Sequence, residues 1–353
     1  EVGFDRAVHS NCADTLWDNL HRNPDKVAVT GPAGDLDYAT LIANAAQWGH
    51  AFMAAGLSPG DRIPFFLDDT PAYPAAFFGA VRAGFVPVLL NTQTNADTLA
   101  YFLADTEARL VLCEATLLSE FSSGVLAGSD VEKMVVVNGD AVNDGQIAQR
   151  DFLDGQPTSL APADTTAADM AFWMYSSGTT GRPKGIVHLH HDMAYTHQSY
   201  GRQILGITAD DICFSVPKIF FAYGFGNSFT FPFSVGATTV LLPGRPDPAR
   251  IFDCIERYRP TLFFGLPTLY TALCRADDAS SRNLSSIRRS ISAAETLSGE
   301  IYDAWKELCG HGPTEGLGST ELLHIYLSNH PHDHRIGAAG APVPGYEVRL
   351  QHP

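Results

Sequence analysis

The sequence predicts an α/β fold with two sub-domains, each built on a mainly parallel sheet flanked by helices. Short apolar runs alternate with helical patterns along most of the 353 residues, and this alternation is typical of βαβ units. The chain is long enough for two or more hydrophobic cores, and its 45% hydrophobic content argues against global disorder. A polar stretch at residues 138–169 interrupts the alternation and predicts a surface connection between the sub-domains.

The first sub-domain is expected to cover residues 1–150. Its clearest helix is predicted at residues 41–55, where apolar residues recur every three or four positions and Gly56 follows as the stop signal. The other helices of this sub-domain are predicted at residues 13–20, 71–83 and 97–103. Its strands are predicted at residues 26–30, 62–67, 85–90, 110–113 and 134–137.

The second sub-domain is expected to cover residues 170–335. Its strands are predicted at residues 171–174, 186–188, 212–216, 238–242, 261–264 and 290–293. The apolar stretch 220–242 contains Asn227, Pro232 and three glycines, which favours a buried core element over a membrane span. Residues 337–345, Gly-Ala-Ala-Gly-Ala-Pro-Val-Pro-Gly, are rich in Gly and Pro, which is typical of a rigid, turn-rich linker.

Composition excludes one class of partner and indicates a compartment. The net charge is −16 and no run of Lys or Arg occurs, whereas a nucleic-acid binder usually carries a basic face. The six cysteines are scattered without a Cys-x-x-Cys pair, which favours reduced thiols over disulfides or a zinc site. We therefore expect a cytoplasmic protein that does not bind nucleic acid.

Residues 175–185 form the most informative stretch, Tyr-Ser-Ser-Gly-Thr-Thr-Gly-Arg-Pro-Lys-Gly. Glycines let backbone N–H groups approach phosphate oxygens, hydroxyls add donors, and the basic side chains neutralise charge. The alternative is a polar surface turn, because the same residue types are common in turns. The position after a buried strand favours a phosphate loop, but Pro183 and Gly185 exclude the Walker A pattern.

A second motif, Gly-Leu-Gly-Ser-Thr-Glu, occupies residues 316–321. A carboxylate beside hydroxyls after a glycine turn is suited to hold Mg²⁺ against a phosphate. The alternative is a helix N-terminus, with Ser319 or Thr320 as its cap and Glu321 in the first turn.

The stretch 176–185 resembles the phosphate loop of the adenylate-forming superfamily, which includes acyl- and aryl-CoA synthetases, and residues 316–321 match a second signature of it. The resemblance implies a large N-terminal domain whose residues 336–353 begin a small β-barrel, with the mobile C-terminal domain absent. It implies that ATP is bound by Ser176, Ser177, Gly178, Thr179, Thr180, Gly181, Lys184, Glu295, Gly316, Gly318, Ser319 and Thr320. It also implies that Thr320, Glu321 and Lys184 are catalytic, with Thr320 on the α-phosphate and Glu321 on Mg²⁺.

A third set of segments resembles the benzoate-CoA ligase branch, namely residues 220–227 and 322–325. Carried over, this resemblance implies an aryl-carboxylate pocket lined by Ala222, Tyr223, Ala293, Ala294, Gly318, His324 and Ile325. A flat aromatic substrate suits a slot walled by an aromatic ring and small residues. Phe220 and Phe221 are expected to be plain core. His324 taken by itself is more typical of a satisfied core histidine, and the alternative is a histidine that donates to a polar ring substituent or to the carboxylate.

The resemblance implies an aryl-CoA ligase that uses ATP, Mg²⁺ and coenzyme A to activate a small aromatic carboxylic acid, with AMP released. An anthranilate, hydroxybenzoate or benzoate would each fit the pocket. Two alternatives stay open, namely transfer of the acyl group to a carrier protein and a non-catalytic nucleotide-binding scaffold. Because the family's C-terminal domain would lie beyond residue 353, we expect binding with poor turnover from this chain alone.

Overall fold

The structure is a computed structural model that describes residues 9–176, 181–330 and 333–351. The described chain divides into an N-terminal unit, residues 9–26 and 36–191, and a C-terminal unit, residues 27–35 and 192–351. This division differs from the predicted one, in which the second sub-domain began at residue 170. The strands Met170–Ser176 and Lys184–Leu189 belong to the N-terminal unit because they complete its sheet.

The sheet of the N-terminal unit is parallel except for its last strand. Its strands lie in the order Gln146–Ala148, Lys133–Val137, Leu110–Glu114, Arg62–Phe66, Val86–Leu89, Met170–Ser176 and Lys184–Leu189. The α-helices of this unit are Asp14–Trp17, Asn19–Arg22, Tyr38–Ala54, Ala72–Arg82, Ala96–Thr106, Ser123–Leu126 and Gln149–Leu153, with a 3₁₀ turn at Ala115–Glu120. Side chains such as Phe66, Leu103 and Val111 are fully buried in its core.

Local sequence explains where the longest helices begin. The Asp37 side chain accepts a hydrogen bond from the Thr40 N–H and caps Tyr38–Ala54, and the Asn95 side chain caps Ala96–Thr106 through the Thr98 N–H. One prediction in this unit is wrong. Residues 138–169 contain the strand Gln146–Ala148 and the helix Gln149–Leu153, which are too short and too polar to give a periodic signal.

The sheet of the C-terminal unit is parallel in its centre and antiparallel at one end. Its strands lie in the order Ala341–Pro342, Ile325–Ser328, Thr314–Gly318, Arg289–Ser292, Leu262–Gly265, Ile212–Ser215, Thr238–Val240 and Val27–Thr30. Its α-helices are Asp192–Thr196, Ala222–Phe225, Phe231–Val235, Pro248–Tyr258, Pro267–Cys274 and Gly299–Cys309, with π-helical segments at His197–Leu205 and Gly226–Thr230 and a 3₁₀ turn at Ala279–Ser281. Ala341–Pro342 is the strand described within residues 336–351, and the start of a β-barrel there stays a prediction.

The predicted α/β fold with mainly parallel sheets is confirmed. The apolar stretch 220–242 is a helical segment followed by the strand Thr238–Val240, and much of it is buried as expected. Within the described residues, no helix is long and apolar enough to cross a membrane. All six cysteines are free thiols, and four of them are buried.

Candidate active site

The ends of the predicted phosphate loop form an antiparallel strand pair in the N-terminal unit. Ser176 faces Lys184 across the pair, and Tyr175 faces Gly185. We call Ser176 together with residues 181–185 the loop stem. Lys184 is exposed there, and Gly181 has a φ of 97°, which glycine adopts without strain. The predicted phosphate-binding residues Ser177, Gly178, Thr179 and Thr180 lie outside the described residues.

The helix Ala96–Thr106 holds both sides of the loop stem. On one side, the Tyr175 hydroxyl donates to Asp105 Oδ2 at 2.7 Å, and the rings of Tyr175 and Phe102 lie 4.1 Å apart. On the other side, the Tyr101 hydroxyl donates to the Pro183 carbonyl at 3.2 Å. Burial, followed by the hydrogen bond to Asp105, raises the pKa of Tyr175, so its hydroxyl stays protonated as a donor.

Arg182 completes this side of the stem. Its guanidinium lies 5.5 Å from the centre of the Tyr101 ring, within the range of a cation–π interaction. Arg182 and Lys184 therefore place two positive charges at an exposed position of a chain with a net charge of −16.

The second motif lies in a tight reversal of the C-terminal unit. The strand Thr314–Gly318 ends before Ser319, the Leu323 N–H donates to the Thr320 carbonyl at 3.0 Å, and the chain returns as Ile325–Ser328. The alternative of a helix cap at Ser319 or Thr320 is wrong, because no helix follows. Glu321 is exposed in this turn.

The two glycines of this motif have a packing reason as well as a predicted nucleotide role. A Cβ at Gly316 would lie 2.8 Å from Ile325 Cγ2, and one at Gly318 would lie 2.6 Å from the His324 carbonyl oxygen. The register between the paired strands shifts between Leu317 and Gly318. Glycine is therefore needed for the strands to approach each other here.

A cavity of about 280 Å³ opens in the C-terminal unit. Its lining includes all seven residues that were predicted for the aryl pocket, namely Ala222, Tyr223, Ala293, Ala294, Gly318, His324 and Ile325. It also includes Pro217, Phe221, Leu266, Ser319 and Thr320. Most of these side chains are apolar, and the hydroxyls of Ser319 and Thr320 bring polar groups of the second motif to the same cavity.

The cavity lies where neighbouring strands of the sheet end. Pro217 follows the strand Ile212–Ser215, and Leu266 follows Leu262–Gly265. Ala293 and Ala294 follow Arg289–Ser292, which is the next strand in the sheet. Ligands of open α/β sheets bind at the carboxyl ends of the strands, and this rule could have added Pro217 and Leu266 to the predicted lining.

The structure corrects the expectation for one aromatic residue. Phe220 is 4% exposed and belongs to the core, as expected. Phe221 is 45% exposed and lines the cavity, so the prediction that it is plain core is wrong. The two ring centres lie 4.6 Å apart, so the exposed ring of Phe221 packs against the buried ring of Phe220.

Ala294 adopts an uncommon backbone conformation in the cavity wall. Its φ is 73°, in the left-handed region where a Cβ is strained. The loop that carries Ala294 and the exposed Glu295 is tied to the sheet by the Leu297 N–H, which donates to Glu315 Oε1 at 2.9 Å. Burial raises the pKa of Glu315. Sequence reasoning did not single out Glu315, although it directly precedes the second motif.

His324 is fully buried, and its ring is held by a hydrogen bond. Its Nε2 lies 3.1 Å from Asn227 Oδ1, and the Asn227 side chain was not among the predicted site residues. Burial lowers the pKa of His324 to about 3, and a hydrogen bond to the backbone of Tyr223 opposes this shift. The imidazole is therefore neutral near pH 7, so this wall of the cavity carries no charge.

Comparison with known proteins agrees with the resemblance seen in the sequence. A family model described as AMP-binding enzyme matches residues 16–353. The benzoate-CoA ligase of Thauera aromatica is 37% identical over 96% of this chain and 64% of its own length. The 4-hydroxybenzoate-CoA/benzoate-CoA ligase of Rhodopseudomonas palustris is 38% identical over 92% of this chain and 60% of its own length.

Solved structures show the same similarity. The crystal structure of an anthranilate-CoA ligase in complex with anthranoyl-AMP has a TM-score of 0.94 and 35% identity, covering 98% of this chain and 67% of that one. A benzoate-CoA ligase from Burkholderia xenovorans has a TM-score of 0.89 and 35% identity, covering 97% of this chain and 67% of that one. The chain spans 60% to 64% of the length of the first two curated relatives. It belongs to the family of AMP-binding enzymes.

Proposed function

We propose that this chain is the acid- and nucleotide-binding part of an aryl-CoA ligase that activates a benzoate-type carboxylic acid with ATP. The observation that carries the proposal is the apolar cavity, whose lining contains all seven predicted aryl-pocket residues together with Thr320 of the second motif. An uncharged wall formed by Tyr223, His324 and small residues suits a flat ring. The names of the relatives, which act on benzoate, hydroxybenzoates or anthranilate, support the same substrate class.

The proposed reaction has two steps. A carboxylate oxygen of the aryl acid attacks the α-phosphorus of ATP, the bond to the bridging oxygen breaks, and pyrophosphate leaves. The sulfur of coenzyme A then attacks the activated carbonyl carbon, loses its proton, and displaces AMP. Negative charge on the phosphate oxygens must be stabilised in the first step, and no side-chain nucleophile is needed.

Each predicted catalytic residue has a proposed task. Thr320 lines the cavity, so its hydroxyl is proposed to donate to the α-phosphate beside the carboxylate. Lys184 and Arg182, on the exposed loop stem, are proposed to neutralise phosphate charge. The backbone N–H groups and hydroxyls of residues 176–181 are proposed to bind phosphate oxygens, and Glu295, Gly316, Gly318 and Ser319 to border the nucleotide.

The Glu321 carboxylate is suited to bind a Mg²⁺ ion whose other ligands are phosphate oxygens and waters. Its carboxylate is exposed, and Mg²⁺ in such sites is held by one or two carboxylates while phosphates and waters fill the other positions. The described residues contain no group of three or more His, Cys, Asp or Glu side chains that could hold a metal by themselves. When bound there, Mg²⁺ would supply charge stabilisation for the phosphates.

The experiment that tests the proposal is calorimetric binding of a panel of aryl acids with ATP and Mg²⁺ present. We expect one or more substituted benzoates to bind, with affinity enhanced by ATP, and we expect this enhancement to be lost in Glu321→Ala. Nucleotide binding without binding of any aryl acid would overturn the substrate class.

Two further assays separate the alternatives. Transfer to coenzyme A can be compared with transfer to a phosphopantetheinyl carrier protein, because the aryl pocket would be the same for both acceptors. Absence of pyrophosphate release in the full-length protein would support a nucleotide-binding scaffold. A cytoplasmic location, for which the free cysteines are the support, also stays a proposal.

A further inference from the structure

The cavity has an uncharged lining, although its proposed ligand is a carboxylate anion. The twelve described residues that line it carry no charge near pH 7. His324 is the one among them that could become a cation, and burial lowers its pKa to about 3. Bringing an anion into such surroundings costs free energy unless an opposite charge lies nearby. A cation held behind the lining would therefore favour binding of the carboxylate.

Lys218 is a buried cation in the segment that forms one wall of the cavity. It directly follows Pro217 and lies three positions before Phe221, and both of these residues line the cavity. Lys218 is only 7% exposed, and its Nζ donates to the Leu242 carbonyl at 2.7 Å. Lysine is rarely buried, because its ammonium loses hydration. A neutral side chain could fill the same space, so the buried charge needs a reason beyond packing.

The backbone around Lys218 is fixed beside the cavity. The Phe221 N–H donates to the Lys218 carbonyl at 3.1 Å, and the Ser215 hydroxyl donates to the Pro217 carbonyl at 3.0 Å. A Cβ at Gly224 would overlap the carbonyl oxygens of Pro217 and Lys218, so the helix that follows packs directly on this turn. The side chain of Lys218 therefore starts from a fixed point between two residues of the cavity wall.

The acceptor of the Lys218 ammonium is fixed as well. Leu242 comes shortly after the strand Thr238–Val240, which pairs with Ile212–Ser215 in the sheet. The next carbonyl, that of Pro243, accepts from Arg250 Nη2 at 2.7 Å. Because a carbonyl is neutral, the bond to Leu242 satisfies an N–H of the ammonium without cancelling its charge.

We propose that Lys218 is a positioning residue whose buried charge attracts the carboxylate of the aryl acid into the uncharged cavity. Its ammonium is bonded to Leu242, so it acts through the electric field across the cavity wall and not by contact with the ligand. Opposite unit charges about 10 Å apart, at an effective dielectric constant of about 20, gain about tenfold in affinity. The inference rests on the proposed function, because it requires that the cavity binds an aryl carboxylate.

Benzoate and benzamide test the proposal, because they share the ring and nearly the same shape but differ in charge. Calorimetry is performed without nucleotide, so that no adenylate forms. We expect the unmodified chain to bind benzoate at least tenfold more tightly than benzamide. Equal affinities would overturn the proposal on Lys218 while leaving the aryl-ligase proposal intact. Failure of both ligands to bind, with or without ATP, would overturn both proposals.

Substitution of Lys218 then assigns the preference to its charge. In Lys218→Met the side chain keeps much of its length but loses its charge, and we expect the preference for benzoate to fall about tenfold. A folded variant that loses affinity for both ligands equally would show a packing role alone and would contradict the proposal. If the variant does not fold, the comparison of the two ligands on the unmodified chain still decides.

Two further variants separate the charge from its surroundings. Lys218→Arg keeps the positive charge, so we expect it to restore most of the preference for benzoate. Lys306→Met removes an exposed lysine of the same unit, and we expect no change because solvent screens that charge. Loss of the preference in a folded Lys218→Arg protein, or an equal loss in Lys306→Met, would contradict a specific role of the buried charge.

Discussion

The loop stem and the cavity are built in opposite ways. The stem is exposed and charged, and its strands are held by side chains of the helix Ala96–Thr106. The cavity is walled by uncharged and mostly apolar groups, some buried and some exposed such as Phe221, and hydrogen bonds behind it join Ser215, Asn227 and His324. The difference teaches that a charged, glycine-rich motif is recognisable within one segment, whereas the lining of an apolar cavity is assembled from several distant segments.

The largest contrast is expected in the response of stability to pH. His324 has a pKa of about 3, below its ordinary value of 6.5, so between these values the unfolded chain binds more protons than the folded one. The free energy of unfolding should therefore fall as pH is lowered from 6.5 toward 3, by up to about 4 kcal/mol from this residue. Denaturant titrations of the unmodified chain and of His324→Gln would show this slope weakened in the variant. Parallel slopes would contradict the assignment.

Glu114 in the N-terminal unit should respond with the opposite sign. Its carboxyl is 4% exposed, and burial raises its pKa to about 7, although Asn138 Nδ2 donates to it at 2.9 Å. The folded chain then binds the extra proton between pH 4.5 and 7, so stability should fall as pH rises through this range, by up to about 3 kcal/mol. Glu114→Gln should flatten this part of the profile. A profile that the substitution leaves unchanged would refute the prediction.

A matched pair of glycine substitutions compares packing in the two regions. In Gly226→Ala the new Cβ would lie 2.4 Å from His324 Cδ2, and the surrounding rings leave the imidazole little room to move. We expect a loss of about 2 kcal/mol in unfolding free energy and at least tenfold weaker binding of aryl acids. In Gly185→Ala on the loop stem the nearest atoms lie at 3.6 Å, so we expect a change within about 0.5 kcal/mol. Similar losses in both variants would remove the proposed contrast.

A smaller effect is expected where the backbone of the cavity wall is strained. Ala294 has a φ of 73°, where a Cβ is strained, and Ala294→Gly removes this strain. The substitution also removes a methyl group from the cavity lining. The relief is worth about 1 kcal/mol, partly offset by the greater freedom of glycine in the unfolded chain. We expect little net change in stability but a shift of ligand preference toward acids with larger ring substituents. Calorimetry with a series of alkyl-substituted benzoates would measure this shift, and an unchanged order of affinities would argue against a role of Ala294 in selection.

The smallest effect concerns the support of the loop stem. Tyr101→Phe removes the hydrogen bond to the Pro183 carbonyl but keeps the ring beside Arg182. We expect ATP affinity to fall about threefold, because one partly exposed hydrogen bond contributes about 0.5–1 kcal/mol. Binding of aryl acids without nucleotide should be unchanged, since the cavity lies in the other unit. A larger loss in Tyr101→Leu would show that the ring also contributes.

The sequence predicted most of the fold because the strands and long helices carry local signals. Apolar runs located the strands Leu110–Glu114 and Arg289–Ser292, and helical periodicity with Gly56 located Tyr38–Ala54. The strand Gln146–Ala148 was missed because three half-polar residues give no pattern. The boundary between the units was misplaced because it depends on which strands join which sheet, and nothing in the local sequence of residues 170–189 specifies this.

The sequence by itself determined the two motifs, the α/β class and, through resemblance to a family, seven residues that line one cavity. The two motifs are recognisable because their glycines, hydroxyls and charged residues are adjacent in the sequence. Only the tertiary structure decided that Phe221 lines the cavity, that Ala294 is left-handed, and that Asn227 joins Ser215 to His324 by hydrogen bonds. Ser215 and His324 are 109 positions apart in the chain. Their connection follows from the order of strands in the sheet and from side-chain packing, which no local pattern contains.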